Sequence, residues 1–377
     1  MKIYNAEVED SILSVKYDKR NGIYNWGLDN LQPQLLETLI NMSVSATACV
    51  NLVAKHIYGK SFGETGNKIV NNDNQTLNEI LRCAAREYAK HNNCFIHISY
   101  NLLHEITSIK VLPSMHCRLG EKDDLDFHGK IIYYDNWDKK NGKVDESKYR
   151  IYDRFNPNIN VINAQIQKAG SISRYKGQCI HLQKDSNSIY SLSNMNSVMG
   201  ECIVENNSMT FRRRGSEKGF LLSKAILTAP MTNEDDRKNF HRTIDGLQGA
   251  KNAGNFIHFE APNHSDNLDS QIKLQDISSE YQDNIFEYSD RIGRKNIALA
   301  NGVPLGLIDS SESSLFGNSG ALLKSMKLQL WEAKEEERDI LEEALSMLMN
   351  RFHIPIEGKL EIINPYEQII ESETTEI

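Results

Sequence analysis

The chain has 377 residues, of which 40% are hydrophobic and 25% charged, and its formal net charge is −8. This length allows about two or three domains with a substantial core. The negative charge argues against a protein that coats nucleic acid with an open basic face. It is compatible with a channel through which DNA slides, because strong phosphate pairing would hold the DNA in place.

Six cysteines lie far apart and form no Cys-x-x-Cys pair: Cys49, Cys83, Cys94, Cys117, Cys179 and Cys202. This spacing is typical of reduced thiols and predicts a cytosolic setting. The N-terminus is too charged for a signal peptide, and no run approaches the roughly 20 apolar residues that cross a bilayer. We therefore expect assembly in a cytoplasm, with no membrane partner.

The first half of the chain predicts helices followed by strands. Pro33 suits the first turn of a helix, Ser43 or Ser45 is placed to cap a second helix, and Gly59 ends it. A third, amphipathic helix is predicted over residues 77–90. Alternating hydrophobicity then predicts strands over 94–101, 104–113, 127–137, 148–155 and 178–183. The fold class is therefore α+β.

The middle of the chain has a weaker pattern. Residues 188–214 carry apolar side chains at loosely helical intervals, but their asparagines and Gly200 make them a poor helix by propensity. A strand near 219–227, a helix over 232–247 and a strand over 255–259 follow. Together these predict a small α+β insert.

The last third predicts a helix, a polar loop and a much longer helix. Asp276 or Ser278 is placed to cap the first helix, and Gly302-Val303-Pro304 stops it. The following loop has almost no apolar content, and a helical pattern then runs from Leu322 to Phe352. Residues 353–365 predict one strand, and the tail after them is acidic.

Candidate metal ligands have simpler explanations. His91 and His97 flank Cys94 at ligand-like spacing, but His97 lies in an alternating strand and no second pair follows, so a loop-to-strand junction is favoured. The acidic residues of the long helix suggest paired carboxylates for magnesium: Glu332, Glu335, Glu336, Glu337, Asp339, Glu342 and Glu343. Successive helix positions point in different directions, which favours a solvated or inter-subunit face. The sequence contains no phosphate loop and no nucleophile motif.

Four runs in order resemble the portal proteins of tailed bacteriophages. They are residues 25–43, with an aromatic-Gly-x-x-Asn stretch leading to helices, residues 211–240, residues 249–261 with an Asn-Ala-Gly turn, and residues 297–321 with Ile-Ala and Gly-Val-Pro. Asp309 stands where the pattern expects a glycine. The order covers nearly the whole chain, and its consistency makes the resemblance specific.

The resemblance implies a portal-like α+β fold with a β-rich wing, a helical stem, a small clip and a long wing helix. The implied divisions are a wing over 1–187, a first stem helix over 188–215, a clip over 216–275, a second stem helix over 276–308, a tunnel loop over 309–317, a long wing helix over 318–352, and a strand with an acidic tail over 353–377. With so few residues after Phe352, the crown of larger portals is reduced or absent.

The resemblance also implies which residues line the channel. The tunnel-loop residues are Ser310, Ser311, Glu312, Ser313, Ser314, Leu315, Phe316, Gly317 and Asn318. Basic residues that face DNA or a neighbouring subunit are Arg212, Arg213, Arg214, Arg291, Arg294 and Lys295. The run 212–214 is equally compatible with a solvated helix end, where cations are favoured.

The implied function is a ring of about twelve copies at one capsid vertex of the virion, assembled in the host bacterial cytoplasm; a ring follows when one face binds a different face of the next copy. Double-stranded DNA is packaged and ejected through it. The implied partners are the terminase large subunit, the major capsid and scaffold proteins, and a head-tail adaptor. No cofactor and no enzymatic activity are expected. The alternatives are a nucleic-acid-processing enzyme with metal-binding carboxylates and a non-portal structural ring adaptor.

Overall fold

A computed structural model of the chain describes residues 15–123, 127–137, 148–217, 223–228, 233–235, 237–239, 242, 255–260, 273–277, 283–309, 320–356 and 358–366. The chain divides into two compact units. Unit 1 comprises residues 1–202 and 295–377, and unit 2 comprises residues 203–294.

Unit 1 begins with three packed helices after a short hairpin of β1 (Tyr17–Asp18) and β2 (Ile23–Tyr24). The helices are α1 (Gln32–Met42), α2 (Val44–Tyr58) and α3 (Leu77–His91). The Ser43 hydroxyl accepts a bond from the Ala46 N–H at 3.0 Å, so the predicted cap of α2 is confirmed. Gly59 ends α2 at a φ of 56°. Thr76 and Glu79 form a reciprocal capping box at the start of α3.

A six-stranded mixed sheet packs against these helices. Its strands are β3 (Asn93–Tyr100), β4 (Ile106–Leu112), β5 (Cys117–Leu119), β6 (Lys130–Tyr133), β7 (Arg150–Arg154) and β8 (Gln178–Gln183), in the order β4-β3-β8-β7-β6-β5. All neighbours are antiparallel except β7 and β8. A parallel pair needs a crossover, and the helix α4 (Ile159–Ala169) lies in that connection.

The main core lies between the helices and the sheet. Its fully buried side chains include Leu81 and Tyr88 of α3 and Ile96 and Ile98 of β3. Five of the six cysteines are buried, and none of the six is bonded to another. The buried thiols therefore pack in the core as small apolar groups.

Four more helices follow along the described chain: α5 (Met199–Glu217), α6 (Asp283–Ala300), α7 (Gly320–Glu332) and α8 (Glu335–Met349). The single long helix predicted over 318–352 is wrong, because the chain breaks at Ala333 and Lys334. The Arg338 guanidinium stacks 3.5 Å from the Trp331 ring and donates to the Trp331 carbonyl at 2.7 Å. The break is thus stabilised by a side chain that satisfies a carbonyl near the helix end.

Two further predictions are corrected in unit 1. The chain is helical not from residue 188 but from a 3₁₀ turn at Asn194–Val198 that leads into α5. The strand predicted over 353–365 is also wrong for the described residues of that segment. Ile363 exchanges backbone bonds with Lys60 and Ser61 beside α2, and the His353 N–H donates to the Ile106 carbonyl, but these bonds form no continuous ladder. Pro355 and Pro365 cannot donate ladder bonds, which limits pairing there.

Unit 2 contains a three-stranded sheet in the order β10-β9-β11. The strands are β9 (Ser223–Thr228), β10 (Asn255–Glu260) and β11 (Lys273–Ile277). β10 is parallel and β11 antiparallel to β9. Asp276 and Ile277 therefore belong to a strand, and the prediction that a helix starts at residue 276 is wrong.

In the described part of the chain, no single helix is long and apolar enough to cross a membrane. α1 and α2 together reach that length and composition, with a bend of 107° between them.

Candidate functional site

The predicted basic residues lie on α5 and α6. Within unit 1, the Asn296 amide of α6 donates to the Glu201 carboxylate of α5 at 2.7 Å. Within unit 2, Arg212 Nη2 of α5 lies 3.1 Å from Asp290 Oδ2 of α6. These two polar contacts tie the helices together where the sequence predicts a stem.

Arg212 is held by this pairing rather than free. Its side chain is 53% exposed, whereas that of Asp290 is 14% exposed. A pair that is half open to solvent contributes little stability, but it neutralises one of the predicted cations. Arg213 is exposed, and the side chain of Arg214 lies outside the described residues.

The cations of α6 follow Asp290 in the chain. The Arg291 guanidinium lies 5.9 Å from the centre of the Tyr288 ring, and Tyr288 is itself 59% exposed. Arg294 is half-buried and Lys295 is exposed. The structure therefore places Arg212 beside Asp290, which directly precedes the basic segment of α6. The spacing of these residues in the sequence does not reveal this contact.

The predicted tunnel loop, Ser310–Asn318, lies outside the described residues. Its two flanks are described. Before it, Val303 is buried and Gly302 turns the chain at a φ of 66°, followed by a 3₁₀ turn at Leu305–Leu307. After it, α7 reaches the core with the fully buried Leu330. Both flanks are thus anchored in the core of unit 1.

The histidines that resembled metal ligands bind different partners. His97 Nε2 donates to the Lys176 carbonyl at 2.6 Å. His91 is fully buried, and its Nε2 lies 3.3 Å from Glu37 Oε1. The structure does not bring the two imidazoles to one site, and the preference for a loop-to-strand junction stands.

A different acidic group surrounds His91. Donor atoms of His91, Glu37 and Glu87 lie within 4.8 Å of one another. Lys90 Nζ is already 2.8 Å from Glu37 Oε1 and 3.6 Å from Glu87 Oε1. Burial opposes ionisation of Glu37, but hydrogen bonds from His91 and Lys90 outweigh it and lower the pKa of this carboxyl to about 2. The group is an ion-pair cluster that joins α1 to α3, although the buried Nδ1 of His91 has no hydrogen-bond partner among the described residues.

The carboxylates of α8 do not converge. The buried Glu337 faces Lys184 at 3.1 Å and Lys334 at 3.3 Å. Glu342 accepts a bond from the Ile362 N–H at 2.7 Å. These two acids serve contacts within the subunit.

Comparison with solved structures finds the same fold in a phage-like particle. A chain from the neck of an empty gene transfer agent particle, computed with C6 symmetry, matches with a TM-score of 0.56 at 14% identity, over 90% of this chain and 87% of the other. A chain from the native neck, computed with C12 symmetry, matches with a TM-score of 0.52 at 15% identity, over 91% and 89%.

A further likeness is to an HK97-family phage portal protein from Corynebacterium diphtheriae. It has a TM-score of 0.43 at 10% identity, over 89% of this chain and 96% of the other, and nothing further rests on it. No protein-family profile and no curated protein sequence matches the chain. The predicted resemblance to a phage portal-like protein is confirmed at the level of the fold.

Proposed function

We propose that this chain is the portal subunit of a phage or phage-like particle, a ring-forming head-tail connector in the virion. The observation that carries the proposal is the shared fold over about nine-tenths of both chains with a component of gene transfer agent necks. A likeness confined to one sheet or one helix pair would not distinguish a portal from other α+β proteins. The likeness to the gene transfer agent neck chains covers about nine-tenths of this chain and so extends over both units.

The proposed assembly is a closed ring of about twelve copies. The neck structures that share the fold are computed with C6 and C12 symmetry, and a head-to-tail contact closes into a ring when the rotation between copies divides a full turn. In this proposal α5 and α6 form the stem, the chain between them forms the clip, residues 309–317 form the tunnel loop, and the six-stranded sheet with its helices forms the wing.

Double-stranded DNA passes through the ring during packaging and ejection. The pairing of Arg212 with Asp290 supports a channel that does not grip its cargo. Each unpaired cation that meets a phosphate adds salt-dependent affinity, so partly neutralised arginines suit transit better than binding. Arg213, Arg291 and Lys295 are further exposed cations of these two helices.

Other components dock on the ring in turn. The terminase large subunit binds the clip and supplies the energy for packaging, and a head-tail adaptor takes its place afterwards. The major capsid and scaffold proteins surround the wing, and assembly takes place in the bacterial cytoplasm. In this proposal the portal is structural and catalyses no reaction.

Electron microscopy of the purified protein tests the proposal. Negative-stain images classified end-on should show closed rings with a central hole and about twelve-fold symmetry. If the isolated protein stays small, the same imaging is repeated with scaffold and capsid protein present. No rings under either condition, together with divalent-metal-dependent cleavage of DNA, would favour the enzyme alternative.

A further inference from the structure

The turn between β3 and β4 presents two leucines to solvent. Leu102 is 78% exposed and Leu103 is 73% exposed. Burying such side chains is worth about 1.5–3 kcal/mol each. Two adjacent exposed leucines at the tip of a hairpin therefore gain free energy when another surface covers them.

The hairpin tip is rigid. Asn101 Oδ1 accepts bonds from the N–H groups of Leu103 and Glu105, both at 2.9 Å, and Asn101 Nδ2 donates to Glu105 Oε2 at 2.8 Å. His104 closes the turn at a φ of 62°. A turn held by this many bonds loses little freedom on binding, so the leucines are pre-organised for docking.

Basic and apolar groups surround this tip. The Arg351 carbonyl accepts a bond from the Ile106 N–H at 2.9 Å, which places the exposed Arg351 and Ile354 beside the start of β4. Lys176 is exposed and comes two residues before Gln178, which pairs with Ile98 toward the Tyr100 end of β3. We call these five residues, Leu102, Leu103, Ile354, Lys176 and Arg351, the Leu102 surface.

The other end of β3 carries an exposed leucine and two exposed acids, one of which is paired with Lys184. There the Asn92 amide donates to the Leu192 carbonyl at 2.8 Å, and Leu192 is 47% exposed. Asp185 follows β8 at the same end and is exposed. Glu336 lies 3.6 Å from Lys184, with its side chain 63% exposed. We call Leu192, Asp185 and Glu336 the Leu192 surface.

The two surfaces lie at opposite ends of one strand. β3 has eight residues, which at about 3.3 Å each span roughly 23 Å. A head-to-tail ring contact requires two different, complementary surfaces on each copy. An isologous contact of the Leu102 surface with itself would set cation against cation.

We propose that the Leu102 surface of one subunit docks on the Leu192 surface of the next copy in the ring. The leucines bury each other's apolar area, while Lys176 and Arg351 face Asp185 and Glu336. The partner is a second copy of this chain because both the apolar and the charged complement are present on the same unit. This inference rests on the proposed function, since it names one contact within that ring.

A cysteine pair tests the contact directly. Leu103→Cys combined with Leu192→Cys, in a Cys83→Ser background, places reactive thiols on both surfaces while the other five native cysteines are buried. A short bismaleimide should then convert rings into a ladder of covalent multimers on a denaturing gel. Each single variant, and the pair Ile151→Cys with Leu192→Cys, should give no ladder beyond background.

A charge exchange provides a second readout. Lys176→Glu should lower the ring fraction by about tenfold or more, and adding Asp185→Lys should restore it. Both positions are exposed, so the thermal melts of these variants should match that of the unaltered protein. As a control, Ile151→Asp, at a position 42% exposed on β7, should leave the rings intact.

The outcomes separate this inference from the proposed function. Rings in the microscope without a ladder and without charge rescue would overturn the contact and leave the portal assignment standing. A ladder that stops at dimers would mean an isologous contact and would also overturn it. Absence of rings in every condition would overturn both.

Discussion

Arg118 is fully buried, and none of the described carboxylates lies within ion-pair distance of it. Its guanidinium donates to the carbonyls of Asn30 at 2.6 Å, Cys117 at 2.7 Å and Met115 at 3.1 Å, and lies between the rings of Trp26 and Trp137. Burial lowers the pKa of this arginine to about 10. The hydrogen bonds of Arg118 join the segment before α1 to β5. Their acceptors are neutral oxygens, and their arrangement fits the planar guanidinium group.

Replacing Arg118 should destabilise unit 1 strongly. Arg118→Met leaves several buried acceptors unpaired, and we expect a loss of about 3 kcal/mol in the free energy of unfolding. Urea denaturation of the purified variant measures this. Arg174→Met, at an exposed position, is the matched control and should change stability by no more than about 0.5 kcal/mol. Equal effects of the two would refute the role given to Arg118.

His181 is a second residue whose burial has a measurable consequence. Its ring stacks 4.4 Å from Phe95, and its Nε2 lies 2.9 Å from Asn93 Oδ1. Burial, with Arg154 and His128 nearby, lowers the pKa of His181 to about 3. The unfolded chain, with a histidine pKa of about 6.5, then takes up a proton that the folded chain does not.

The sign of the pH effect follows from that difference. The contribution of His181 to the free energy of unfolding is fully present above a pH of about 6.5, the pKa in the unfolded chain. It is lost as the pH falls toward the pKa of the folded chain. Between pH 7.5 and 5.0 this histidine alone should cost about 2 kcal/mol. His181→Gln should reduce the acid loss by that amount, as urea midpoints at the two pH values would show. An unchanged pH dependence in the variant would contradict the assignment.

At the scale of elements, the segment after α8 depends on a close approach to α2. Gly59 has a φ of 56°, and a Cβ there would lie 2.7 Å from Ile362 Cγ2 and 2.9 Å from the Ile363 carbonyl oxygen. Gly302 has a similar φ of 66° but open space around it. Comparing an alanine substitution at each of the two glycines therefore distinguishes the cost of backbone strain from the cost of a steric clash.

This pair makes a matched test. Gly302→Ala should cost about 1 kcal/mol, the usual cost of a left-handed residue with a side chain. Gly59→Ala should cost at least about 2 kcal/mol more, because Ile362 and Ile363 must move away. Thermal melts measure both losses, and limited proteolysis should cleave the chain near residue 360 faster in the Gly59 variant. Equal melting temperatures would mean that the segment adjusts freely.

The burial of Leu330 in α7 changes the expected effect of a substitution at this position. If the predicted long helix packed between neighbouring subunits, Leu330→Asp would block ring formation by burying an unpaired charge. In the structure Leu330 is fully buried within its own subunit. We now expect Leu330→Asp to unfold the subunit, with a loss of about 4 kcal/mol or more, visible as loss of the cooperative melt before any assembly.

Regular elements were predictable where one pattern persisted. The strands β3, β4 and β8 alternate over six to eight residues and lie within or beside their predicted ranges. α4 was missed although Ile159, Ile162 and Ile166 recur at helical spacing, because the helix lies between two predicted strands and spacing alone does not show that their connection is a crossover. β5 has three residues and no room for a pattern. The break between α7 and α8 depends on Arg338 meeting Trp331, a contact that spacing cannot reveal.

The candidate site was less predictable than the fold. The sequence marks Arg212 as part of a basic run, but its partner Asp290 is 78 positions away along the chain, and nothing local indicates it. The cluster of Glu37, Glu87 and His91 likewise joins two helices. Long-range pairing of charges is a property of the folded chain, whereas caps such as Ser43 are encoded locally.

At the scale of the whole molecule, the tunnel loop is the part that would touch DNA. Its flanks are anchored by the buried Val303 and Leu330, so residues between them can be removed without cutting either anchor. We expect deletion of Ser311–Phe316 to leave rings intact by electron microscopy while DNA packaging or retention falls. A deletion of equal length in the acidic tail, residues 372–377, is the control. Full infectivity of the loop variant would refute the assignment of residues 310–318, whereas loss of rings would show that this segment serves assembly instead.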